Sequence, residues 1–271
     1  MTAGIHFDSV GGASGDMILA ALLDLGVESA WLEEQLAGLG VGPFRIRADE
    51  SADRGIRGRR LALTLPDSPA SSSSHIHPHP HGIGARLHGL LHRIGSRPQG
   101  HSHAPGGHRG LREIEAILNA AALPEPVRES SRTVFRRLAE VEAHIHGTTP
   151  DQVHFHEIGA LDALADIVGA NLARQALGVG WVSVAPLPIG RGTVACAHGI
   201  LPLPAPATAA LLTGFPVTPI DESAETVTPT GAALLTTWKN RETPPDGCWS
   251  RIGHGLGARA LRERPNLLRA F

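Results

Sequence analysis

Apolar and polar residues along this chain change their period several times, and each change marks an element. GIHFD near the start alternates, which predicts a short strand over Gly4–Asp8. A glycine-rich turn, VGGASGD, follows and leads into an apolar run that predicts a helix from Asp16 to Leu25, stopped by Gly26. A second short helix is expected near Ser29–Leu39. FRIRAD and GRRLALTL then alternate with period two, the pattern of a two-stranded ribbon. Farther along, LREIEAILNAAAL reads as a helix. The next helix begins near Pro124, Glu125 and Pro126, carries Val134, Leu138, Val141 and Ile145 at helical spacing, and ends at Gly147. VHFH is a short strand-like run, followed by a helix from about Ile158 to Gly178. WVSVAPLPIG, GTVACAHG and FPVTPI read as strands. PAPATAALLTG and TPTGAALLTTW read as short helices opened by Pro or Thr. Strands and helices are interspersed without a strict βαβ rhythm. The expected fold class is therefore α+β, a mixed α/β sandwich.

One stretch breaks every periodicity. From Pro66 to about Gly107 the chain is rich in Ser, Pro, Gly and His, which reads as an exposed, disordered insertion. It divides the chain into an N-terminal α/β part (1–66), the insertion (67–108) and a larger α/β part (109–271). Nine of the 16 histidines lie in it: His75, His77, His79, His81, His88, His92, His101, His103 and His108. Elsewhere the composition is that of a packed protein, with 42% hydrophobic and 18% charged residues. The net charge of −2 gives no bulk electrostatic case for nucleic acid or an anionic membrane. Two cysteines, Cys196 and Cys248, make no disulfide framework and fit a reducing cytoplasm. MTAGIHFDSVGG has neither the basic nor the apolar region of a secretory signal, and no 18-residue apolar run predicts a membrane span.

Several constellations carry chemistry. In a strand, His154 and His156 of VHFHE would share one face while Phe155 packs on the other, with Glu157 at the end. Asp162 and Asp166, four apart, share a helix face downstream. Imidazoles with carboxylates make a mixed metal site or a proton relay; the plainer alternative is a half-exposed strand beside a solvated helix face. In LAEVEAHIHG, Glu142 and His146 are four apart, as are Glu140 and His144; taken alone this is ordinary i,i+4 surface pairing, but a helix–strand turn could bring His146 near His154 and His156. FDSVGGASGDM places a strand end, small residues (Gly12, Ser14, Gly15) and a helix N-terminus together. That is either an anion cradle, with Asp8 and Asp16 able to hold a hard cation such as Mg²⁺, or simply a tight strand-to-helix turn with an Asp cap. No GK[ST] follows, so it is no Walker loop. In TVTPTGAALL, Thr228 or Thr230 can cap a helix that begins around Gly231 and offers free N–H groups. Cys196 and His198 would share a strand face and could supply a soft thiolate and an imidazole, although a lone Cys with a lone His is more often structural. The alternating His-Pro run with His75, His77, His79 and His81 suits loose, multiple binding of divalent metal.

Taken together, GGASGDMILAALLDLG, the His-rich stretch with HRGLREIEAIL, LAEVEAHIHG, VHFHEIGALDALADIVGA, HGILPLPAPAT, VTPTGAALL and IGHGLGARALRERPNLLR resemble the nickel insertion proteins of nickel-pincer nucleotide biosynthesis, the LarC-like cyclometallases. The motifs span almost the whole chain in family order. The resemblance implies a nickel chelatase or cyclometallase of the lyase class. It would insert Ni²⁺ between two sulfurs and a ring carbon of pyridinium-3,5-bisthiocarboxylic acid mononucleotide, with CTP consumed and Mg²⁺ or Mn²⁺ required. The product would be the cofactor of lactate racemase, whose system is the acceptor. It implies that His154, His156 and Glu157, with His146, hold nickel or act as base, and that Asp162 or Asp166 orients the imidazoles. Glu157, Asp162 and Asp166 are the catalytic candidates. Asp8 and Asp16 with the GASGD turn would take a phosphate and its cation. Two departures stand out. Family members continue into a CTP-binding domain beyond RPNLLRAF, so this chain is expected to need a C-terminal partner half, to be inactive alone and to be a homo-oligomer when complete. His254 stands where the family shows tyrosine. The competing reading is a non-catalytic nickel storage protein or metallochaperone that uses the His-rich loop.

Overall fold

The computed structural model describes residues 3–64, 109–153, 155, 160–196 and 198–271. Its centre is a six-stranded mixed sheet. The strands are β1 (Gly4–Ser9), β2 (Arg45–Asp53), β3 (Ile56–Thr64), β4 (Trp181–Val184), β9 (Gly253–Leu256) and β10 (Leu267–Ala270), in the order β2-β3-β9-β10-β1-β4. β1 runs parallel to β4 and antiparallel to β10, with Phe7 opposite both Val184 and Ala270. Strands from both sides of the His-rich stretch thus share one sheet. The expected ribbon is present as β2 and β3, paired antiparallel from Arg45↔Thr64 to Asp53↔Ile56. Two small sheets lie apart: β5 (Leu187–Ile189) parallel to β8 (Val217–Pro219), and β6 (Thr193–Cys196) in a hairpin with β7 (Gly199–Pro202).

Helices stack on one face of the large sheet. α1 (Gly15–Asp24) is buried along nearly its whole length because it lies between the sheet and α5 (Ala160–Ala176). It rests directly on β9, where a Cβ on Gly253 would come within 2.2 Å of Ala21 O and one on Gly255 within 1.9 Å of Met17 O. α5 also meets α2 (Ser29–Ala37), α4 (Glu125–His146) and α7 (Pro229–Trp238); α3 (Leu111–Ala120) and α6 (Pro206–Leu211) pack on α4. α4 follows its sequence signals: Pro126 sits in its first turn, and Gly147 ends it at φ +63°, the left-handed conformation that glycine adopts at little cost. His144 and His146 fall in its last turn, where the helix dipole favours positive charge.

Three expectations change. WVSVAPLPIG is not one strand: it breaks after Val184, and its halves join different sheets, with proline in the second half. Cys196 and His198 do not share a strand face, because β6 ends at Cys196 and His198 lies in the hairpin turn. Of the strand-like VHFH run, the described residues Val153 and Phe155 form no strand; both are buried, and Phe155 packs on Phe135 with ring centres 6.4 Å apart.

Where α4, α5 and α7 meet, Asn171 is 1% exposed and fully hydrogen-bonded. Its Nδ2 donates to Ser131 Oγ at 3.2 Å and Ile167 O at 2.9 Å. Its Oδ1 accepts from Ser130 Oγ at 2.6 Å and Trp238 Nε1 at 3.0 Å. Removing the amide leaves a buried indole N–H with no acceptor, and orphaned buried donors are costly. Asn171→Ala should therefore lower unfolding stability by about 2–3 kcal/mol in urea titration; a change within 0.5 kcal/mol, roughly that of an ordinary surface substitution, would show the hub to be dispensable.

Candidate functional site

The turn after β1 and the segment before α7 are zipped together by backbone. Ala13 N donates to Thr226 O at 2.9 Å, Thr228 N donates to Ala13 O at 3.0 Å, and Ala13 and Val227 form a parallel bridge. Two glycines allow this closeness. A Cβ on Gly12 would lie 1.9 Å from Thr226 O, and one on Gly231 would lie 2.3 Å from Ala13 O. As a result α1 and α7 start side by side. The helix dipole is positive at both starts; Pro229 has no N–H, Gly231 N serves the Thr228 cap, and the Asp16 and Met17 N–H groups serve the Asp16 carboxylate, so Gly15 N and Thr230 N are the first-turn donors that could face a ligand. Thr228 caps α7, its Oγ1 accepting from Gly231 N at 3.2 Å. Ser14 stands at the N-cap of α1, but its hydroxyl is turned to the Asp16 carboxylate instead of to the backbone.

The third wall is α5. A Cβ on Gly15 would fall 2.4 Å from Asp166 Oδ2, so α5 brings Asp166 against the start of α1, next to Asp16. The space between the elements is a cavity of about 250 Å³ lined by Ser14, Gly15, Asp16, Asp166, Glu225, Thr228, Pro229 and Thr230. That lies just below the roughly 300–1,000 Å³ of pockets that enclose whole small molecules. It suits a phosphate with a cation, or one end of a nucleotide.

The electrostatics are strained. Burial raises the pKa of Asp16, and hydrogen bonds from the Ser14 hydroxyl and from backbone N–H groups offset part of that rise. Burial pushes Asp166 well above the ordinary aspartate range, and the charges of Asp16 and then Asp162 push it farther. Both side chains are only part-accessible, and the opening each retains is into the cavity. Two carboxyls held this way resist ionising together, and a divalent cation between them would remove the penalty.

The structure thus brings Ser14, Gly15, Asp16, Asp166, Thr228 and Thr230 into one lining, with Gly12 and Gly231 as the clamp behind it. Asp162 lies one turn before Asp166 on α5 and is exposed. Asp8 lies outside the lining, its carboxylate paired with Arg269. His146 closes α4, its Nε2 3.4 Å from Glu142 Oε2. His154, His156 and Glu157, like His75, His77, His79 and His81, lie outside the described residues. Among the described residues, no three or more His, Cys, Asp and Glu side chains are grouped to hold a metal ion. Sequence reasoning passed over Glu225, whose one signal is its place just before TVTPT in an acidic run, and the clamp partner Thr226.

The sequence profile of the nickel insertion proteins matches residues 5–271. The chain belongs to the nickel insertion protein family. Among its relatives are three proteins named pyridinium-3,5-bisthiocarboxylic acid mononucleotide nickel insertion protein. The one from Desulfitobacterium hafniense is 38% identical over 265 residues, covering 97% of this chain and 56% of the relative. Those from Clostridium kluyveri and Akkermansia muciniphila are each 36% identical, covering 98% of this chain and 61% and 59% of the relative respectively. The chain therefore spans less than two thirds of these relatives' length. No solved structure matches it. Among the described residues, no helix of this family member is long and apolar enough to cross a membrane.

The carboxyl pair predicts a pH dependence. A carboxyl whose folded pKa is raised holds its proton more tightly folded than unfolded. It therefore costs no stability at about pH 4 and below, and costs progressively more as pH rises through the folded value. Asp166→Asn removes that cost. The variant should melt higher than wild type at neutral pH, by on the order of 1 kcal/mol, and the gap should close toward about pH 4. Thermal melts at intervals between those pH values check this; a gap independent of pH would sink the strained-pair account.

Proposed function

We propose that this chain acts in nickel insertion on pyridinium-3,5-bisthiocarboxylic acid mononucleotide, as the nickel-handling part of a cyclometallase. What supports the reading is a cavity between two helix N-termini that also carries a half-buried carboxyl pair, in a member of the nickel insertion family. The N-termini attract a phosphate, whereas Asp16 and Asp166 repel it. A Mg²⁺ or Mn²⁺ ion resolves the conflict, since the lining offers carboxylates and hydroxyls and hard cations take oxygen ligands. Asp16, Asp166 and Ser14 would hold that ion, and Thr230 with the positive ends of α1 and α7 would take the phosphate end of the mononucleotide.

Joining nickel to a ring carbon means that the ring carbon loses its proton, so a base must stand near the ring. Glu157, Asp162 and Asp166 are the candidates; with Asp166 on the hard cation its proton affinity falls, which leaves Glu157 and Asp162 to receive the proton. His146, His154 and His156 with Glu157 would hold Ni²⁺, the metal substrate, through ligands that exchange more readily than a thiolate cage. CTP consumption, a C-terminal partner half, homo-oligomeric assembly, a cytoplasmic setting and delivery of the product to a lactate racemase system complete the reading. In the storage alternative, which rests on His75, His77, His79 and His81, deleting residues 71–107 would remove most nickel binding.

Asp16→Ala should weaken Mg²⁺-dependent binding of a pyridine mononucleotide by about tenfold or more in calorimetric titration, as loss of a cation-supporting carboxylate does. Unchanged affinity, with the fold intact by circular dichroism, would remove the cavity from the substrate site.

A further inference from the structure

α4 ends where the β6–β7 hairpin turns, and this juxtaposition places two imidazoles from distant parts of the chain against each other. The His146 and His198 ring centres are 4.8 Å apart and their planes are tilted by 45°. Glu142, one turn before His146 on α4, sets its Oε2 3.4 Å from His146 Nε2. These elements are independently anchored. The hairpin is held by four antiparallel residue pairs, Thr193↔Pro202 to Cys196↔Gly199, and the turn between its strands carries His198. α4 is fixed along its inner face by buried Val127, Val134, Phe135, Leu138 and Ala143.

The spacing has a chemical meaning. An imidazole nitrogen binds a divalent transition metal at about 2.1 Å, so two rings on one ion, at angles between square and tetrahedral, have centres roughly 4.5–5.2 Å apart. The observed 4.8 Å falls inside that window. A carboxylate beside one ring adds negative charge that favours a cation and orients the ring.

We propose that His146 and His198, supported by Glu142, form a two-imidazole docking site for Ni²⁺ at the end of α4. This deepens the nickel-insertion reading and rests on it for the choice of metal. His198 is thereby assigned as a metal ligand and Glu142 as a positioning residue. The pair receives the ion ahead of the His154, His156 and Glu157 set, holding it by two nitrogens with its other coordination positions left to water or to the sulfurs of a thiocarboxylate. A site meant to release nickel needs this incompleteness, because a closed set of four ligands retains its metal. The described residues offer no such closed group.

The test uses the full-length chain with the nine histidines between His75 and His108 changed to Asn, so that the tract does not mask stoichiometry. NiCl₂ alone is titrated, and X-ray absorption counts the imidazoles on nickel. His198→Gln and His146→Gln are each expected to lower the imidazole count by one and to weaken Ni²⁺ binding by more than tenfold, and Glu142→Gln by about tenfold. The double variant should bind no more weakly than about the worse single one, since the two rings act as a unit. His198 is exposed, so its change leaves the fold intact, which circular dichroism verifies. An unchanged imidazole count and affinity in His198→Gln overturns the proposal, as does loss of nickel only in His154→Ala/His156→Ala. Because no nucleotide is present, this outcome is independent of Asp16→Ala, whose failure would strike the cavity reading alone.

Discussion

The missing side chain at Gly15 is the constraint on which the rest depends. With no Cβ there, α5 presses against the first turn of α1 until Asp166 occupies the space that a side chain would have filled. The same contact line continues at Gly169, where a Cβ would lie 3.2 Å from Leu19. Two glycines on opposing helices therefore set how close α1 and α5 come. That closeness buries α1 between α5 and the sheet, and β9 meets it from the other side with glycines of its own. The consequence at the helix ends is electrostatic. Asp16 and Asp166 are brought together in a space where neither charge is well solvated, and the backbone zipper between Ala13 and Thr226–Thr228 adds a second positive helix end. Packing that benefits the core thus creates a polar site that costs stability, the pattern expected where function constrains a fold.

How much of this was legible depended on whether a feature is local. α4 could be bounded by eye, because Pro126 and Gly147 act through their own backbone angles. The β2–β3 ribbon was equally plain, since its alternation comes from pairing within one hairpin. β9 and β10 gave no strand signal although they sit in the middle of the sheet. GHGL carries glycine at the positions where α1 lies on the strand, so the usual alternation of bulky and polar residues is absent. What shapes that strand is a helix more than two hundred residues earlier in the chain.

The candidate site divides along the same line. Ser14, Asp16, Thr228 and Thr230 were legible as helix-start chemistry, because capping is a local matter. That both starts face one cavity was not, since nothing in either motif refers to the other. Asp166 shows this most sharply. In sequence it belongs with Asp162 and the histidines upstream; in space it stands against Gly15 and beside Asp16. His198 likewise reads as a partner of Cys196 until the hairpin turns it toward His146.

In the proposed reading, the two arrangements divide the labour of one reaction according to ligand hardness. Oxygen donors and helix N–H groups surround the cavity at the start of α1, which suits phosphate and a hard cation and offers nickel little advantage. Imidazoles gather at the end of α4, where nickel is the better fit. α4 and α5 pack against each other, so the imidazole pair and Asp166 are carried on adjoining rigid elements. Their relation is fixed by the same core that Asn171 ties together. A metal with sites left open on one helix and a proton acceptor on the next is an economical way to make a metal–carbon bond. The ion is withheld from a closed cage, and the proton that must leave the ring meets a carboxylate on α5.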